Sequence, residues 1–297
     1  MILMKVDVEK IKKNKSVEEL LEFGILNIDK PSGPTSFDTS EKVMKLLGLR
    51  KTSHFGTLDP KVTGVLPIAL NRACKLTGFF LGEDKEYIGT MQVHEIVDLE
   101  KMKKAIVENF TGKIIQLPPV KSRVKRQHRE REVKKFEILE VSGKDILFQV
   151  ECQGGTYIRK LVHDLGEDLK VGAHMTELRR VRAGIFKEAE IHTLYEFKAA
   201  VEAYKKGDDN LLRKMLIPGE IVSELFPVVK IKEESADRIL HGQPIYDENL
   251  LSGTSKSSFE KEDKISVFSE DKFIGVFKVM KEGRVFAKAE FVLQPIN

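Results

Sequence analysis

The sequence has few cysteines and no long apolar run, and these absences exclude several classes of protein. Only two of its 297 residues are cysteine, Cys74 and Cys152, and neither belongs to a Cys-x-x-Cys pair or a cluster of metal ligands. We therefore expect two buried, reduced thiols in a cytoplasmic protein, without a disulfide framework or a zinc site. No stretch approaches the roughly 18 uninterrupted apolar residues of a membrane-spanning helix. Residues 1–4 are apolar but run directly into charged residues, so we expect no secretion signal.

The positive charge of the chain is concentrated in one short segment. The formal net charge is +4, whereas residues 121–135 alone carry eight lysines and arginines against two glutamates. A charge run is usually a solvated face, but this one follows the rigid Pro118-Pro119 pair and includes His128. These features favour a projecting arm that binds nucleic-acid phosphates. The candidates for phosphate contacts are Arg123, Lys125, Arg126 and Arg129.

Residues 56–65 are the most informative segment of the sequence. They read Gly-Thr-Leu-Asp-Pro-Lys-Val-Thr-Gly-Val. Pro60 fixes its own φ and disfavours the helical region for Asp59, so the carboxylate lies on a constrained bend. Glycines at positions 56 and 64 allow a ligand or another backbone to come close. An isolated Asp-Pro is more often a loop that caps a helix, and it is the whole string that indicates a catalytic aspartate.

This segment resembles the catalytic signature of the TruB/dyskerin family of pseudouridine synthases, in which this aspartate is the essential residue. Five further blocks are similar to motifs of that family and follow the same order along the chain. Residues 172–175 and the C-terminal tail are closer to the archaeal and eukaryotic guide-RNA branch than to the stand-alone bacterial tRNA enzyme. The five blocks span residues 24–36, 85–87, 116–126, 155–159 and 178–184.

The resemblance implies an α+β fold in two domains. The first, residues 1–222, is a catalytic domain with a mixed, mainly antiparallel sheet. Its first 22 residues form a charged N-terminal extension. The second, residues 223–297, resembles a PUA domain, a small β-barrel that recurs on RNA-modifying enzymes. A generic small barrel is the alternative for this second domain.

Hydrophobic periodicity predicts the elements around the motifs. Apolar residues alternate over 146–152, which predicts a strand. After the glycines at 154 and 155, apolar residues at 158, 161, 162 and 165 predict a helix that begins near Arg159. In the C-terminal region, strands are predicted at 265–268, 273–280 and 285–293.

The resemblance implies isomerisation of uridine to pseudouridine, which breaks the C1′–N1 bond, rotates the uracil and joins C5 to C1′. The reaction involves no redox change and no phosphoryl transfer, so we expect neither a cofactor nor a metal. It needs an ionised carboxylate beside the ribose, and an aspartate is ionised at neutral pH. By resemblance, Arg159 is the partner that keeps Asp59 ionised despite burial. Asp59 either attacks covalently or removes a ribose proton, and both routes need the same geometry.

The other candidate site residues each have a structural alternative. Tyr87 is expected to stack on the flipped uracil and to accept the C5 proton, although a strand aromatic is more often core. His54, on a basic loop, is expected to enter the RNA beside the flipped nucleotide. Leu178 either walls the pocket or belongs to the core. Lys30 and Arg182 either contact phosphate and scaffold or form ordinary ion pairs.

Two substrate modes follow from the resemblance. The chain is the catalytic subunit of an H/ACA guide-RNA particle acting on rRNA, a stand-alone enzyme for uridine 55 in the TΨC loop of tRNA, or both. In the first mode the partners are guide RNA, small Nop- and Gar-type subunits and a kink-turn-binding protein.

Two other functions fit the sequence less well. A catalytically inactive PUA-type RNA-binding protein is disfavoured because Asp59, Tyr87 and Arg159 are all present. An aspartyl-phosphate hydrolase would place its aspartate after a buried apolar strand and gather carboxylates for Mg²⁺. Here the approach is Arg-Lys-Thr-Ser-His, over residues 50–54.

Overall fold

The computed structural model describes residues 5–118, 125–252 and 256–295, which form two compact units. The larger unit contains residues 25–216, and the smaller contains residues 5–24 together with the described residues from 217 onward. This division differs from the predicted domains, because residues 5–24 belong to the unit of the C-terminal strands and not to that of the catalytic motifs. Among the described residues, no helix has the length and apolar character needed to cross a membrane.

The larger unit is built on one mixed sheet. Its strands are β1 (Gly24–Lys30), β2 (Thr52–His54), β3 (Thr63–Leu70), β4 (Lys85–Val93), β5 (Gly112–Gln116), β6 (Arg129–Ser142), β7 (Asp145–Cys152), β8 (Ala173–Ala183), β9 (Phe186–Lys187) and β10 (His192–Thr193). The order is β10-β1-β3-β8-β4-β7-β6-β5, with β2 beside β3 and β9 beside β8. The pairs β1–β10 and β3–β8 are parallel and the other pairings along this path are antiparallel, as predicted.

Helices and short 3₁₀ segments connect these strands. The helices of the described chain are α1 (Val8–Asn14), α2 (Val17–Glu22), α3 (Ser36–Leu47), α4 (Thr77–Leu81), α5 (Leu99–Asn109), α6 (Ile158–Asp168), α7 (Leu194–Lys205), α8 (Asn210–Met215) and α9 (Glu233–Leu240). The 3₁₀ segments are Asn71–Leu76, Glu188–Glu190, Gly219–Glu224, Asp247–Asn249 and Lys256–Ser258.

The strand and helix that flank Arg159 form as the sequence predicts. In β7, the residues at 146, 148, 150 and 152 are buried and alternate with partly exposed ones. In α6, the buried residues are those at 158, 161, 162, 165 and 166, which lie on one face of the helix. The burial of this stripe fixes α6 against the sheet and leaves Arg159, at its second position, exposed.

The expectation that residues 121–135 form a projecting arm is only partly correct. Residues 119–124 lie outside the described residues. From Arg129 onward the segment is strand β6, because β5 hydrogen-bonds to it on one side and β7 on the other. Local periodicity did not predict this strand, since only Val133 and Phe136 of its fourteen residues are buried.

The smaller unit contains α1, α2, α9, the short strand β11 (Leu216–Pro218) at its sequence boundary, and a five-stranded sheet. That sheet comprises β12 (Val228–Lys230), β13 (Ile245–Tyr246), β14 (Lys264–Ser269), β15 (Lys272–Glu282) and β16 (Val285–Val292), in the order β12-β14-β15-β16-β13. Phe23 stacks between Phe273 and Phe291, with ring centroids 5.9 Å from each. The predicted C-terminal strands are present, and the curled sheet is consistent with a PUA-like domain.

Both cysteines are free, as predicted, but only one is fully buried. Cys152 is buried on β7, and burial raises the pKa of its thiol to about 12. Cys74 is half-buried. Neither thiol has the lowered pKa of a reactive cysteine.

Candidate active site

The loop that carries Asp59 is held in place through its backbone. The carbonyl of Asp59 accepts a hydrogen bond from the Val62 amide at 3.0 Å, which closes a turn with Pro60 at its second position. On the amino side, the Ser36 hydroxyl accepts from the Leu58 amide at 2.7 Å and donates to the Leu58 carbonyl at 3.0 Å. The aspartate is therefore flanked by two fixed peptide groups.

Lys30 holds the carboxyl side of the same turn. Its ammonium is fully buried and donates to the carbonyls of Pro31, Pro60 and Val62 at 2.9, 3.0 and 2.8 Å. Burial lowers the pKa of Lys30, while the nearby charge of Asp59 opposes that shift. The alternative of a phosphate contact is wrong for this residue, because a fully buried amine with three carbonyl acceptors cannot reach an RNA phosphate.

Arg180 lies beneath the loop and joins it to Tyr87. Its side chain is 1% exposed. The guanidinium donates to the carbonyls of Val65 at 2.8 Å and Gly56 at 3.1 Å, and Arg180 is the cross-strand partner of Tyr87 in the β4–β8 register. A β-carbon at Gly64 would lie 2.2 Å from the Arg180 carbonyl, so only glycine fits where β3 meets β8. Asp59 and Tyr87 thus share one buried support.

Asp59 and Arg159 form a direct ion pair. Nη2 of Arg159 donates to Oδ2 of Asp59 at 2.6 Å. The side chain of Arg159 is 59% exposed and that of Asp59 is 52% exposed. The pairing agrees with the expectation from the sequence, but the expected burial of Asp59 is wrong in the chain without RNA. The carboxylate is therefore open to an incoming nucleotide.

Tyr87 and Leu178 lie on one face of the central sheet. In the β4–β8 register, Tyr87 pairs with Arg180 and Gly89 pairs with Leu178. A β-carbon at Gly89 would lie 2.7 Å from Cδ1 of Leu178, so the leucine covers the glycine beside the tyrosine. Both side chains are 8% exposed. Burial raises the pKa of Tyr87, which keeps its hydroxyl protonated at neutral pH.

A second buried cation lies close to Arg180. The ammonium of Lys85 donates to the carbonyls of Phe80, Leu81 and Glu83 at 3.2, 3.4 and 2.6 Å. Burial, assisted by the charge of Arg180, lowers the pKa of Lys85 to about 8. The site is therefore positively charged on its protein side, which favours an anionic group at Asp59.

His54 is half-buried at the end of β2. Its Nδ1 is buried and makes no hydrogen bond to any part of the chain that the structure describes. Burial and the charge of Arg180 lower the pKa of His54, so the imidazole is neutral at physiological pH. A neutral ring suits insertion into RNA by stacking better than attraction to a phosphate.

Arg182 has different partners from Arg180. Its Nε donates to Glu86 at 3.2 Å and its Nη2 to Glu151 at 2.7 Å. The guanidinium is therefore engaged in two ion pairs. Of the alternatives for Arg182, these contacts agree with the ion pairs.

The structure describes the basic segment in part. Arg123 lies outside the described residues. Lys125 and Arg126 are exposed, and Arg129 donates from Nη2 to the Lys125 carbonyl at 3.4 Å. These side chains have no carboxylate partner within the described chain, which leaves their charge available to RNA.

The arrangement can place one carboxylate, fixed by an arginine, next to a ribose while a base rests against Tyr87. Lys30 is tied to the same turn as Asp59 through the carbonyls of Pro60 and Val62, and the charge of Asp59 contributes to the raised pKa of Tyr87. In the described chain, no cluster of three or more His, Cys, Asp or Glu side chains is positioned to hold a metal ion.

The sequence analysis included Lys85, Gln116 and Arg180 only as members of motifs and assigned none of them a role in the site. Arg180 is one of three arginines within four positions, and only the strand register reveals which is buried. Gln116 is 2% exposed and bonds to the backbone at the start of α6. The one signal for Lys85 was its place two residues before Tyr87.

Three family models match consecutive parts of the chain. Residues 44–158 match the TruB family pseudouridylate synthase (N terminal domain). Residues 159–223 match the tRNA pseudouridylate synthase B C-terminal domain, and residues 227–288 match pseudouridine synthase II TruB, C-terminal.

The chain is also similar to curated proteins of archaea. A Methanopyrus kandleri protein named "Probable tRNA pseudouridine synthase B" is 46% identical over 229 residues, which cover 77% of this chain and 68% of that protein. A Thermococcus onnurineus protein of the same name is 40% identical over 289 residues, covering 95% of this chain and 85% of that protein.

Two solved structures share the fold over nearly the whole chain. A subunit of the "Cbf5-Nop10-Gar1 Complex" is 36% identical with a TM-score of 0.86, and the match covers 96% of this chain and 89% of that chain. A chain of an "H/ACA RNP bound to a substrate RNA containing 2'-deoxyuridine" is 34% identical with a TM-score of 0.85, at 96% and 89% coverage. These matches include the residues of both compact units.

Proposed function

Because the chain belongs to the TruB family of pseudouridine synthases, we propose that it isomerises uridine to pseudouridine in RNA with Asp59 as the catalytic carboxylate. The observation that carries this assignment is the Asp59–Arg159 ion pair of 2.6 Å on a loop fixed by Lys30, Ser36 and Arg180. A target base inside folded RNA must be extruded to reach this carboxylate. Asp59 then attacks C1′ or removes a ribose proton while the freed uracil turns.

The roles of the surrounding residues follow from their positions. Tyr87, paired across the strands with Arg180 and kept protonated by burial, supports the uracil. Leu178 forms part of the same apolar surface. His54, neutral and half-buried, enters the RNA stack beside the extruded nucleotide.

The substrate mode that the comparisons support best is guide-directed modification. The solved chains that are similar over both units belong to a Cbf5-Nop10-Gar1 complex and to an H/ACA particle with substrate RNA. In this mode the chain is the catalytic subunit, with guide RNA, Nop- and Gar-type subunits and a kink-turn-binding protein as partners. The smaller unit acts as a PUA-type RNA-binding domain, and the basic segment at 125–129 binds RNA phosphates.

The second mode is modification of tRNA without a guide. It is favoured by the relatives named tRNA pseudouridine synthase B, which are 46% and 40% identical to this chain. The expected target is the uridine at position 55 of the TΨC loop. A cytoplasmic location suits both modes, and the two free cysteines support it.

Tritium release from RNA labelled at C5 of uridine tests the reaction and separates the two modes. The chain alone is assayed on a tRNA transcript, and the chain with guide RNA and the partner subunits is assayed on an rRNA target. Guide-dependent release on the rRNA target supports the first mode, and release from tRNA without guide supports the second. No release in either assay, with folded protein and bound RNA, would contradict the proposed reaction.

A further inference from the structure

The side chain of Gln116 makes two hydrogen bonds to the backbone of one residue, Tyr157. Nε2 of Gln116 donates to the Tyr157 carbonyl at 3.2 Å, and Oε1 accepts from the Tyr157 amide at 3.0 Å. The amide side chain is 2% exposed, so both bonds are shielded from water. A buried amide that satisfies both polar groups of one peptide residue fixes that residue in position and in orientation.

Tyr157 is the residue that starts helix α6. It occupies the N-cap position, and no side chain caps the helix there. Its carbonyl also accepts the first intrahelical bond, from the Leu161 amide at 3.0 Å. The amide of this N-cap residue is therefore bonded by the side chain of Gln116, which comes from strand β5 and not from the helix itself. Arg159, two residues later, projects from the turn of helix that this bond anchors.

Gln116 is also the last residue of β5, where the chain leaves the sheet for the basic segment. Its cross-strand partner is Arg129, the first residue of β6 on the return of the chain. The Gln116–Arg129 pair thus closes the base of the hairpin that carries the basic residues. Any displacement of this base moves the amide that holds Tyr157.

The hairpin touches the turn before α6 at two further points. The Gln153 amide donates to the Glu132 carbonyl at 2.8 Å. The Arg131 guanidinium covers Gly155, with Nη2 3.3 Å from the position of a β-carbon there. The turn before α6 therefore contacts β5 and β6 at Gln153, Gly155 and Tyr157, and of these contacts the one made by Gln116 is nearest in sequence to Arg159.

We propose that Gln116 is a positioning residue for Arg159, and through it for the Asp59–Arg159 ion pair. The inference rests on the proposed function for its effect on rate, but its effect on the ion pair is independent of any reaction. Arg159 is 59% exposed and is held at the site by its own helix turn, so its guanidinium position depends on how α6 begins.

The first test needs neither RNA nor activity. In ¹⁵N-labelled protein, the Nε–Hε signal of Arg159 is assigned by its loss in Arg159→Lys. Gln116→Met preserves side-chain length and burial but removes both hydrogen bonds, and it should shift and broaden this signal. Gln149→Met is the matched control, because Gln149 donates to Glu86 on the neighbouring strand and does not touch α6. This control should leave the Arg159 signal unchanged.

The second test measures single-turnover isomerisation at saturating RNA. Gln116→Met should lower the rate by on the order of tenfold with unchanged RNA affinity, since a small misplacement of a catalytic partner is costly. Combining it with Arg159→Lys should add no further loss, because both changes act through one guanidinium. Gln116→Glu keeps only the acceptor for the Tyr157 amide, and it serves as the second variant if the methionine variant fails to fold.

Two results would overturn the proposal. One is an unchanged Arg159 signal in both folded Gln116 variants. The other is a double variant whose loss of rate equals the product of the two single losses, which indicates independent or merely structural effects. If wild-type protein shows no isomerisation, the proposed function fails, while the Arg159 signal still decides the role of Gln116.

Discussion

The buried ammonium of Lys30 lies 3.0 Å from the carbonyl oxygen of Pro60, the residue that follows Asp59. The same carbonyl accepts from the Gly33 amide at 2.9 Å. A charged donor inside the protein makes a stronger hydrogen bond than a neutral one, and it places the turn without contacting the substrate. Lys30 is thus a support of the loop and not one of the groups that meet RNA.

Replacing Lys30 with methionine should reduce both stability and activity. The change leaves the Pro31 and Val62 carbonyls without this donor, and an unpaired buried carbonyl costs about 1–3 kcal/mol. The free energy of unfolding, measured with urea, should fall by a similar amount, and the isomerisation rate should fall with it. Lys61→Met is the control, because Lys61 is exposed in the same turn. Equal behaviour of the two variants would contradict the assigned role of Lys30.

The substitution Asp59→Asn should abolish isomerisation and leave RNA affinity nearly unchanged. The carboxylate acts on the ribose, whereas affinity comes from phosphate contacts elsewhere. Tritium release and a filter-binding titration measure the two quantities on the same RNA. Asp164→Asn, which removes a carboxylate paired with Lys160 on α6, is the control and should keep full activity. Retention of a tenth of the wild-type rate by the Asp59 variant would show that another group is catalytic.

Arg159→Lys should lower the isomerisation rate by on the order of 100-fold, because lysine lacks the planar fork and shifts the carboxylate. Stability should hardly change. The ion pair is half-exposed, and exposed pairs contribute less than about 1 kcal/mol. Thermal melting and single-turnover kinetics on one preparation test both statements. Wild-type turnover in the lysine variant would mean that the pairing does not position Asp59.

Neutralising Arg123, Lys125, Arg126 and Arg129 together should weaken RNA binding and flatten its dependence on salt. The slope of log K against log salt should fall by roughly 0.7–0.9 for each phosphate that the variant no longer binds. The control neutralises four exposed lysines on helices α5 and α7, which gives the same change in charge: Lys101, Lys103, Lys104 and Lys205. If both variants show the wild-type slope, the basic segment is a solvated face, and the RNA path must be sought elsewhere.

Lys85 should make the stability of the protein rise with pH. Its pKa is lowered from 10.5 to about 8 in the folded chain, so between these values the unfolded chain binds the proton more tightly. Folding therefore becomes more favourable as pH increases through this window, by up to about 3 kcal/mol at 1.36 kcal/mol per pKa unit. The stability difference between wild type and Lys85→Met, measured with urea from pH 7 to pH 10, isolates this contribution. A difference that stays constant with pH would contradict the lowered pKa.

Local patterns predicted those elements whose burial is periodic. The alternation in β7 and the stripe on α6 each reflect one buried face, which the order of apolar residues records directly. Strand β6 was missed because its outer face is charged and its pairing depends on β5 and β7, whose registers local periodicity does not contain. Helix α1 was missed because it too buries little, with only Ile11 of its seven residues inside the protein.

Site residues that belong to a recognised motif with a known role could be predicted from the sequence. Residues whose role depends on the pairing register of the strands could not. The pairing of Asp59 with Arg159 was expected by resemblance. The buried role of Arg180 depends on the irregularity of the β4–β8 register beside Tyr87, which sets Arg180 and Arg182 against different partners. Gln116 begins one of the motif blocks, but its contact with the backbone of Tyr157 depends on the tertiary fold and has no signal in a single sequence.

The exposure of the Asp59–Arg159 pair has a consequence for how this enzyme discriminates among nucleotides. At about 4 Å two charges attract by about 1 kcal/mol in water and by several times more where permittivity is low. In the free protein, solvent weakens the field that the carboxylate exerts. An extruded uridine that fills the space against Tyr87 displaces that solvent and so creates the permittivity in which the carboxylate acts at full strength. An RNA that docks without inserting its base leaves the pair hydrated, and the carboxylate then acts only with the weakened field that solvent allows.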